Sequence, residues 1–388
     1  QNLLVEDGRT TAVLDWPNVV VATAEYDVAA TRVILTQTPL ALFPVLAALR
    51  PLLAHLRREL HAPALVYAEP LAPITGGYDT RIYGFRLSAG PAGWSGPLIL
   101  RVLSPTHDPV RALRERATQN AIAGLGYPVP RVLTATADRG PLGAGFLVME
   151  RAAGRPLLAT RRPGVGRTLA ETHARLHALN PEALLRALDD EGRAAGWGFD
   201  RDAVSFESHL ASLDRRIQQA GLAGLADGMR WLRTRQPAER SARVICHGDF
   251  HPQNLLVQDG RTTAVLDWPN VVVAAPEYDV AATRVILTQT PLALFPVLAA
   301  LRPLLAAGRR LLAARYLAVY RALRPLDRTR LPYCEAAACM RGLVRAAEAR
   351  VVEGAVPNPL DASSFGERLA ARFARVSDVP VALPPRRG

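Results

Sequence analysis

The side chains best suited to chemistry lie in one stretch, residues 247–254, which reads His-Gly-Asp-Phe-His-Pro-Gln-Asn. Asp249 falls in a loop between two apolar segments, where its carboxylate is able to accept the proton of a hydroxyl group. Asn254 follows five residues later, and Asp267 lies thirteen residues beyond that, after a second short apolar segment. An amide oxygen and a carboxylate are hard ligands of the type that Mg²⁺ prefers. A nearby aspartate base completes the set of side chains that kinase-type phosphoryl transfer requires.

A zinc site is the alternative chemistry for this stretch. His247 and His251 are four residues apart, a spacing that suits two ligands on one face of a helix. Gly248 and Pro252 oppose a helix at this point, so we favour phosphoryl transfer.

The pattern resembles the aminoglycoside phosphotransferase and choline kinase-like family, relatives of the protein kinases, over roughly residues 62–375. The resemblance implies that Asp249 is the catalytic base and that His247 holds the loop through hydrogen bonds. It implies that Asn254 and Asp267 bind Mg²⁺ and that ATP is the phosphoryl donor, with GTP as an alternative. The implied fold is α+β and two-lobed, with a small antiparallel-sheet N-lobe and a mostly helical C-lobe.

The upstream residues follow the order that this family shows. Gly76, Gly77 and Tyr78 form a turn between two strand-like segments, where backbone N–H groups are able to cover phosphates. Asp79-Thr80 stand where the family often has Ser-Asn. The resemblance places Arg101 at the position of the strand lysine that contacts the α- and β-phosphates, and an arginine retains that charge. On the same resemblance, Glu115 on the next helix is its ion-pair partner.

The resemblance also supplies a hinge between the lobes. Residues 146–151 precede Gly154-Arg155-Pro156, so Glu150 to Ala152 are the candidates for contacting adenine through backbone groups. Asp279 matches an aspartate with which a helix begins in this family, so we expect it to act as a helix cap. His173 and His177 are four residues apart on one predicted helix, and we expect them to pack rather than to bind a ligand.

The composition narrows the function classes. The chain has 388 residues and a formal net charge of +12, and all 47 of its basic residues are arginine. The absence of lysine excludes Schiff-base enzymes, NTPases with a phosphate-loop lysine and a lysine general base. A positive charge is also typical of nucleic-acid-binding proteins. The arginines alternate with acids and leucines rather than with aromatic residues, so we expect no nucleic-acid partner.

Cysteine content and apolar runs bear on the compartment. The three cysteines are too few for a disulfide framework, and no signal peptide is visible, so we predict a cytoplasmic location. The longest uncharged runs, 33–49 and 285–301, each contain two prolines and are flanked by arginines. We interpret them as buried helices and expect no membrane partner.

One long segment occurs twice in the chain. Residues 1–54 and 253–306 are identical at 51 of 54 positions. A single long repeat is not a solenoid, because a solenoid stacks several short units. It is typical of a joined second gene copy or of a sequence-assembly artefact. The first copy lacks counterparts of His247 and Asp249, so we expect residues 1–54 to be non-catalytic and dispensable.

The remaining elements define the expected domains. Strand-like alternation at 64–68, 71–74, 82–87 and 97–103, a helix begun by Asp108-Pro109, and strands at 131–136 and 145–149 predict a nucleotide-binding N-lobe over 62–152. Helices are predicted at 167–179, 205–235 and through 277–375, with strands between 243 and 267. They predict a helical C-lobe over 153–378 that carries the catalytic loop and the acceptor site. Three prolines after residue 378 predict a frayed tail, 379–388.

The acceptor is predicted from charge. Segment 307–378, which should form much of the acceptor side, has thirteen arginines and seven acids. A polycationic aminoglycoside needs acidic partners on desolvation, so we favour a neutral or anionic hydroxylated small molecule. An apolar, macrolide-like alcohol is a second possibility. The alternative function is a non-catalytic, nucleotide-binding pseudokinase.

Overall fold

The structure is a computed structural model that describes residues 3–6, 9–13, 50–74, 80–88, 90–91, 93–160, 163–238, 242–291, 302–352 and 363–386. In these ranges, none of the helices is both long and apolar enough to cross a bilayer. Residues 33–49 and 292–301, which make up most of the two apolar runs, lie outside the described residues.

The N-lobe is built on one antiparallel sheet, as the strand-like alternation predicts. Its strands in the described residues are β3 Val66–Pro73, β4 Thr80–Ser88, β5 Leu98–Leu103, β6 Val132–Thr136 and β7 Phe146–Glu150. Across the sheet they have the order β3-β4-β5-β7-β6. Alternation along β5 buries Leu98, Leu100 and Val102 on one face and turns Ile99 and Arg101 to the other.

Helices cover both faces of this sheet. Helix α2, Val110–Gly124, packs on the face that carries Arg101. Pro109 rather than Asp108 is its N-cap residue, although Asp108 Oδ1 accepts a hydrogen bond from Val110 N at 3.0 Å just before the helix. Helix α1, residues 50–59, covers the opposite face, where Leu52 and Leu56 are fully buried. The boundary expected at residue 54 therefore falls inside a helix that belongs to the N-lobe.

The C-lobe is mostly helical. Its helices in the described residues are α3 Val165–Leu176, α4 Pro181–Ala195, α5 Phe206–Gln219, α6 Ala226–Thr234, α7 Pro276–Gln289, α8 Arg302–Leu323, α9 Leu331–Val351 and α10 Phe365–Ser377. The sequence interpretation missed α4, although Asn180 caps it by accepting from Glu182 N at 3.0 Å and Pro181 occupies its first position. The predicted helix over 205–235 is two helices, because Gly221 has φ +62° between α5 and α6.

Short strands between the helices carry the site. They are β8 Arg155–Pro156, β9 Val244–Cys246, β10 Leu255–Gln258, β11 Arg261–Val265 and β12 Val272–Ala274. Hairpin β10–β11 pairs Leu255 with Val265, and β9 pairs with β12. The loop from β9 to β10 is therefore held at both ends by strand pairing.

The repeated segment forms the same hairpin near the N-terminus. Strands β1, Leu3–Glu6, and β2, Arg9–Val13, pair Leu3 with Val13, and the register shifts at Leu4/Val5 as it does at Leu256/Val257. The residues from 14 to 49 lie outside the described residues.

The C-terminal segment 379–386 packs on the helical lobe rather than fraying. Ala382 N donates to Gly224 O at 3.0 Å, and the Arg350 guanidinium donates to Pro384 O at 2.9 Å. Gly224, Gly228 and Gly366 leave room for this segment, because a side-chain carbon at each would collide with it.

Candidate active site

The loop from β9 to β10 turns sharply at Gly248. This residue has φ +76°, and a Cβ there would lie 2.5 Å from Asn270 O, so only glycine fits. His247 is buried, and both of its ring nitrogens are used within the loop region. Nε2 donates to Leu266 O at 2.9 Å, and Nδ1 accepts from Asp249 N at 3.2 Å. His247 therefore orients the loop, and its ring has no nitrogen left for the zinc alternative.

Asp279, in the first turn of α7, anchors this loop by accepting hydrogen bonds from its backbone. Its carboxylate accepts from His247 N at 2.5 Å and from Gly248 N at 2.8 Å. It does not cap its own helix, for which Ala275 holds the N-cap position, so the expected capping role is replaced by a loop-anchoring one. Burial alone would raise the pKa of Asp279, but the charges of His173 and His177 and the hydrogen bonds from their rings hold it well below its usual value.

Two histidine–tyrosine pairs support Asp279. His173 and His177 on α3 each place Nε2 near Asp279 Oδ2, at 2.9 and 3.3 Å, while their Nδ1 atoms face Tyr316 and Tyr320 of α8 at 2.7 and 2.6 Å. Both pairs are spaced four residues apart, so two helix faces meet side by side. The two histidines and the aspartate are close enough to ligate a metal. Hydrogen bonds already satisfy every one of these groups, so a structural network accounts for them.

Asp249 lies at the centre of the loop, and its side chain is 28% exposed. The His251 Nε2 atom is 3.8 Å from Asp249 Oδ2, and Arg341 Nη2 on α9 is 4.0 Å from Oδ1. Burial raises the pKa of Asp249, but contact with His251 and the charges of His251, Arg341 and His247 bring it below its ordinary value. The carboxylate is therefore ionised, and its side chain is partly exposed to solvent.

Asn254 and Asp267 lie side by side at the open end of hairpin β10–β11. Leu266 N donates to Asn254 O at 2.8 Å, which brings the two segments together. Asn254 Nδ2 donates to Asp249 O at 3.0 Å, so the amide nitrogen holds the loop and the amide oxygen is left as a ligand. Asp267 has φ +69° and is 39% exposed. Two oxygen donors, one of them anionic, fit a Mg²⁺ ion.

Arg101 joins the two lobes at this point. Its Nη1 is 2.5 Å from Glu115 Oε1 and its Nη2 is 2.8 Å from Asp267 Oδ1, while Nε donates to Thr80 Oγ1 at 3.2 Å. Glu115 is only 2% exposed, so the pair is not a solvated surface pair. Burial raises the pKa of Glu115, and Arg101 opposes that shift.

The expected hinge residues join β7 to the C-lobe. Glu150 N donates to Arg131 O at 3.0 Å, and the neighbouring Arg151 N donates to Pro97 O at 2.9 Å. A cavity of about 350 Å³ lies beside Glu150 and Ala152. Gly76, Gly77 and Tyr78 lie outside the described residues.

The sequence interpretation missed Arg341 and assigned Asp279 a different role. Arg341 is one of thirteen arginines in its segment, and nothing in its spacing points to Asp249. The anchoring role of Asp279 also had no local signal, because its partners are about thirty residues upstream and on a different helix.

Comparisons with known proteins concern the family and the fold of the chain. The sequence profile described as "Phosphotransferase enzyme family" matches residues 70–326. A solved structure of a candidate aminoglycoside phosphotransferase from Ralstonia eutropha superposes with a TM-score of 0.57, at 19% identity over 85% of this chain and 97% of that one. A Plasmodium vivax ethanolamine kinase gives 0.53, at 13% identity over 81% and 84% of the two chains. These similarities confirm the predicted two-lobed kinase-like fold.

Curated relatives match a shorter region. Acyl-CoA dehydrogenase family member 11 of Gallus gallus is 30% identical over 177 residues, which are 43% of this chain and 22% of that protein. The Homo sapiens protein of the same name is 28% identical over 178 residues, with the same coverage. The match thus spans about a fifth of the length of these relatives.

Proposed function

The chain belongs to the phosphotransferase enzyme family, and on that premise we propose that it transfers the γ-phosphoryl group of ATP to a hydroxyl group of a small molecule. The observation that carries the proposal is the bridge from Arg101 to Glu115 and Asp267. It joins the phosphate-binding cation of the N-lobe to a metal-binding acid beside the catalytic loop. Phosphoryl transfer depends mainly on such positioning and charge neutralisation.

Asp249 is proposed to receive the acceptor hydroxyl. The hydroxyl donates a hydrogen bond to the carboxylate, its oxygen bonds to the γ-phosphorus, and the bond from that phosphorus to the β–γ bridging oxygen breaks. The proton passes to Asp249 and ADP leaves. Because the pKa of Asp249 lies below its usual value, the carboxylate is a weak base, and its main effect is to orient the hydroxyl.

Asn254 and Asp267 are the residues proposed to hold Mg²⁺, which when bound would neutralise charge on the phosphates. Arg101 holds one oxygen of Asp267, so the other oxygen remains available as a ligand. Gly76, Gly77 and Tyr78 are proposed to cover the phosphates, and Glu150 to Ala152 are proposed to meet the adenine.

The acceptor is proposed to be neutral or anionic. Structures similar in fold include an ethanolamine kinase and an aminoglycoside phosphotransferase, APH(4)-Ia, bound to AMP-PNP and hygromycin B. In this chain the acids of α9 are already paired: Glu335 with Arg284 and Arg372, and Glu348 with Arg216. They cannot also serve as counter-charges for a polycationic acceptor.

A reducing, ATP-containing compartment such as the cytoplasm is part of the proposal. It suits the free thiols of Cys246, Cys334 and Cys339, all of which are buried.

The test is an acceptor screen with γ-labelled ATP and Mg²⁺, run on the wild-type protein and on Asp267→Ala. We expect label to appear on an alcohol with the wild type and to fall nearly to background with the variant. Turnover that survives in Asp267→Ala would contradict the metal assignment. Nucleotide binding without transfer to any alcohol would indicate the non-catalytic pseudokinase instead.

A further inference from the structure

Arg341 brings a poorly compensated positive charge to the catalytic carboxylate. Its side chain is 20% exposed, and its nearest acid, Asp249, is 4.0 Å away, which is longer than a hydrogen bond. Its Nη1 atom is buried and has no hydrogen-bond partner within the described part of the chain. A mostly buried guanidinium in this state has lost hydration without gaining a close counter-ion.

The guanidinium of Arg341 lies close to the candidate catalytic loop. Its Nη1 atom would lie 3.2 Å from a Cβ at Gly248, so the guanidinium lies against the backbone beside Asp249. The neighbouring His209 adds no second positive charge here. Burial and the charge of Arg341 lower the pKa of His209 to about 3, which keeps its ring neutral.

Other acids near this helix are engaged elsewhere. The two acids of α9 pair with arginines: Glu335 with Arg284 at 2.5 Å and Glu348 with Arg216 at 2.6 Å. The place where an acceptor hydroxyl must meet Asp249 is therefore positively charged on its α9 side.

We propose that Arg341 selects the acceptor by binding an anionic group, a carboxylate or a phosphate ester, while the acceptor's hydroxyl meets Asp249. This inference rests on the proposed phosphotransferase function. The hydroxyl and the anionic group would approach two anchors that are 4.0 Å apart. Hydrogen-bonded from the same side, they are separated by about 4 Å, which suits a short hydroxy acid or a polyol phosphate.

The experiment compares acceptor probes that carry an anionic group with neutral counterparts and with one cation. They are 3-hydroxybutyrate against its amide, glycerol 1-phosphate against glycerol, and choline as a cation. Each is assayed for kcat/KM with Mg-ATP on the wild type, Arg341→Gln and Arg341→Lys. Arg186→Gln is the control, because Arg186 is exposed on α4 and donates to Glu182 O of its own helix.

We expect an anionic probe to be preferred over its neutral partner. A charged hydrogen-bonded pair should give a preference of about 10- to 100-fold. Arg341→Gln should remove that preference without raising the KM for ATP, Arg341→Lys should keep part of it, and Arg186→Gln should keep all of it. Comparing the two anionic probes shows whether a carboxylate or a phosphate is the better ligand.

Two results would overturn the inference while leaving phosphoryl transfer intact. One is preference for a neutral or cationic probe, and the other is an anion preference that persists in Arg341→Gln. If no probe is phosphorylated, binding of the same probes to the Mg-ADP complex is measured by saturation-transfer NMR. Binding of the anionic probes that depends on Arg341 would sustain the inference although transfer failed. Binding that ignores charge, or no binding, would overturn it.

Discussion

Substituting Leu52 with alanine should destabilise the N-lobe, whereas the same substitution at Leu304 should change stability little. Both leucines lie in the sequence Arg-Pro-Leu-Leu-Ala, at equivalent positions of the repeated segment, and both are helical. Leu52 is fully buried between α1 and the N-lobe sheet, while Leu304 on α8 is 71% exposed. Because the local sequence is shared, differences in helix propensity cancel, and burial alone separates the two variants.

The expected magnitudes follow from that burial. Truncating a fully buried leucine to alanine costs about 2–5 kcal/mol, since it removes apolar contacts and leaves a cavity. A surface substitution usually stays within about 0.5 kcal/mol. The loss expected for Leu52→Ala is a substantial part of the roughly 5–15 kcal/mol that stabilises a typical native protein.

Hydrogen exchange with mass spectrometry measures the protection of N-lobe amides separately from that of C-lobe amides. A loss of 2 kcal/mol should lower protection of β4 and β5 amides by roughly 30-fold in Leu52→Ala, if they exchange through opening of the N-lobe. Leu304→Ala should leave these peptides unchanged. The same loosening should raise the KM for ATP in Leu52→Ala, because β5 carries Arg101. Equal protection in the two variants would refute the packing of α1 on the sheet, and with it the physical account of the N-lobe boundary.

Three further predictions concern the site and its support. Arg101→Ala should raise the KM for ATP strongly. Arg101→Lys should keep part of the function, because a lysine retains the charge but cannot contact Thr80, Glu115 and Asp267 together. An unchanged KM for ATP in the alanine variant would show that Arg101 does not bind phosphate. Asp249→Asn should lower kcat by roughly 10²–10⁴-fold and still bind ATP in a titration; loss of nucleotide binding would instead mark a structural residue. The pKa of His177 is lowered from 6.5 to about 4 by burial and by His173, so the unfolded chain binds more protons between these pH values and stability should fall as pH drops through that window. The free energy of unfolding, measured in urea at several pH values, should depend less on pH in His177→Gln than in the wild type. An equal pH dependence in the two proteins would contradict a buried neutral His177.

Sequence spacing predicted a catalytic loop with two metal ligands, and the structure brings the residues of this candidate site together. Asp249 and Asn254 share one loop, and an antiparallel hairpin returns the chain to Asp267 beside Asn254. These neighbours are close in sequence, so local chain geometry brings them together. The kinase-like fold followed from the resemblance that this spacing supports.

Contacts between distant parts of the chain could not be predicted from sequence spacing. Arg101 and Asp267 are 166 residues apart, and only the docking of the two lobes makes their 2.8 Å contact. Arg341 and Asp249 are 92 residues apart, and only tertiary packing brings their charged atoms to within 4.0 Å. The anchoring of the loop by Asp279 likewise depends on the packing of α3 and α7 beneath it.

The repeated segment shows, within one chain, which features local sequence determines and which depend on tertiary packing. Its hairpin forms twice with the same register and the same irregularity, because pairing of adjacent strands depends on the turn and on the residues beside it. Its leucines at 52 and 304 are helical in both copies, yet one is buried and the other is largely exposed. Local sequence determined the hairpin and the helix, whereas burial was decided by the surfaces that surround each copy, since burying apolar surface requires a partner that the segment itself does not contain.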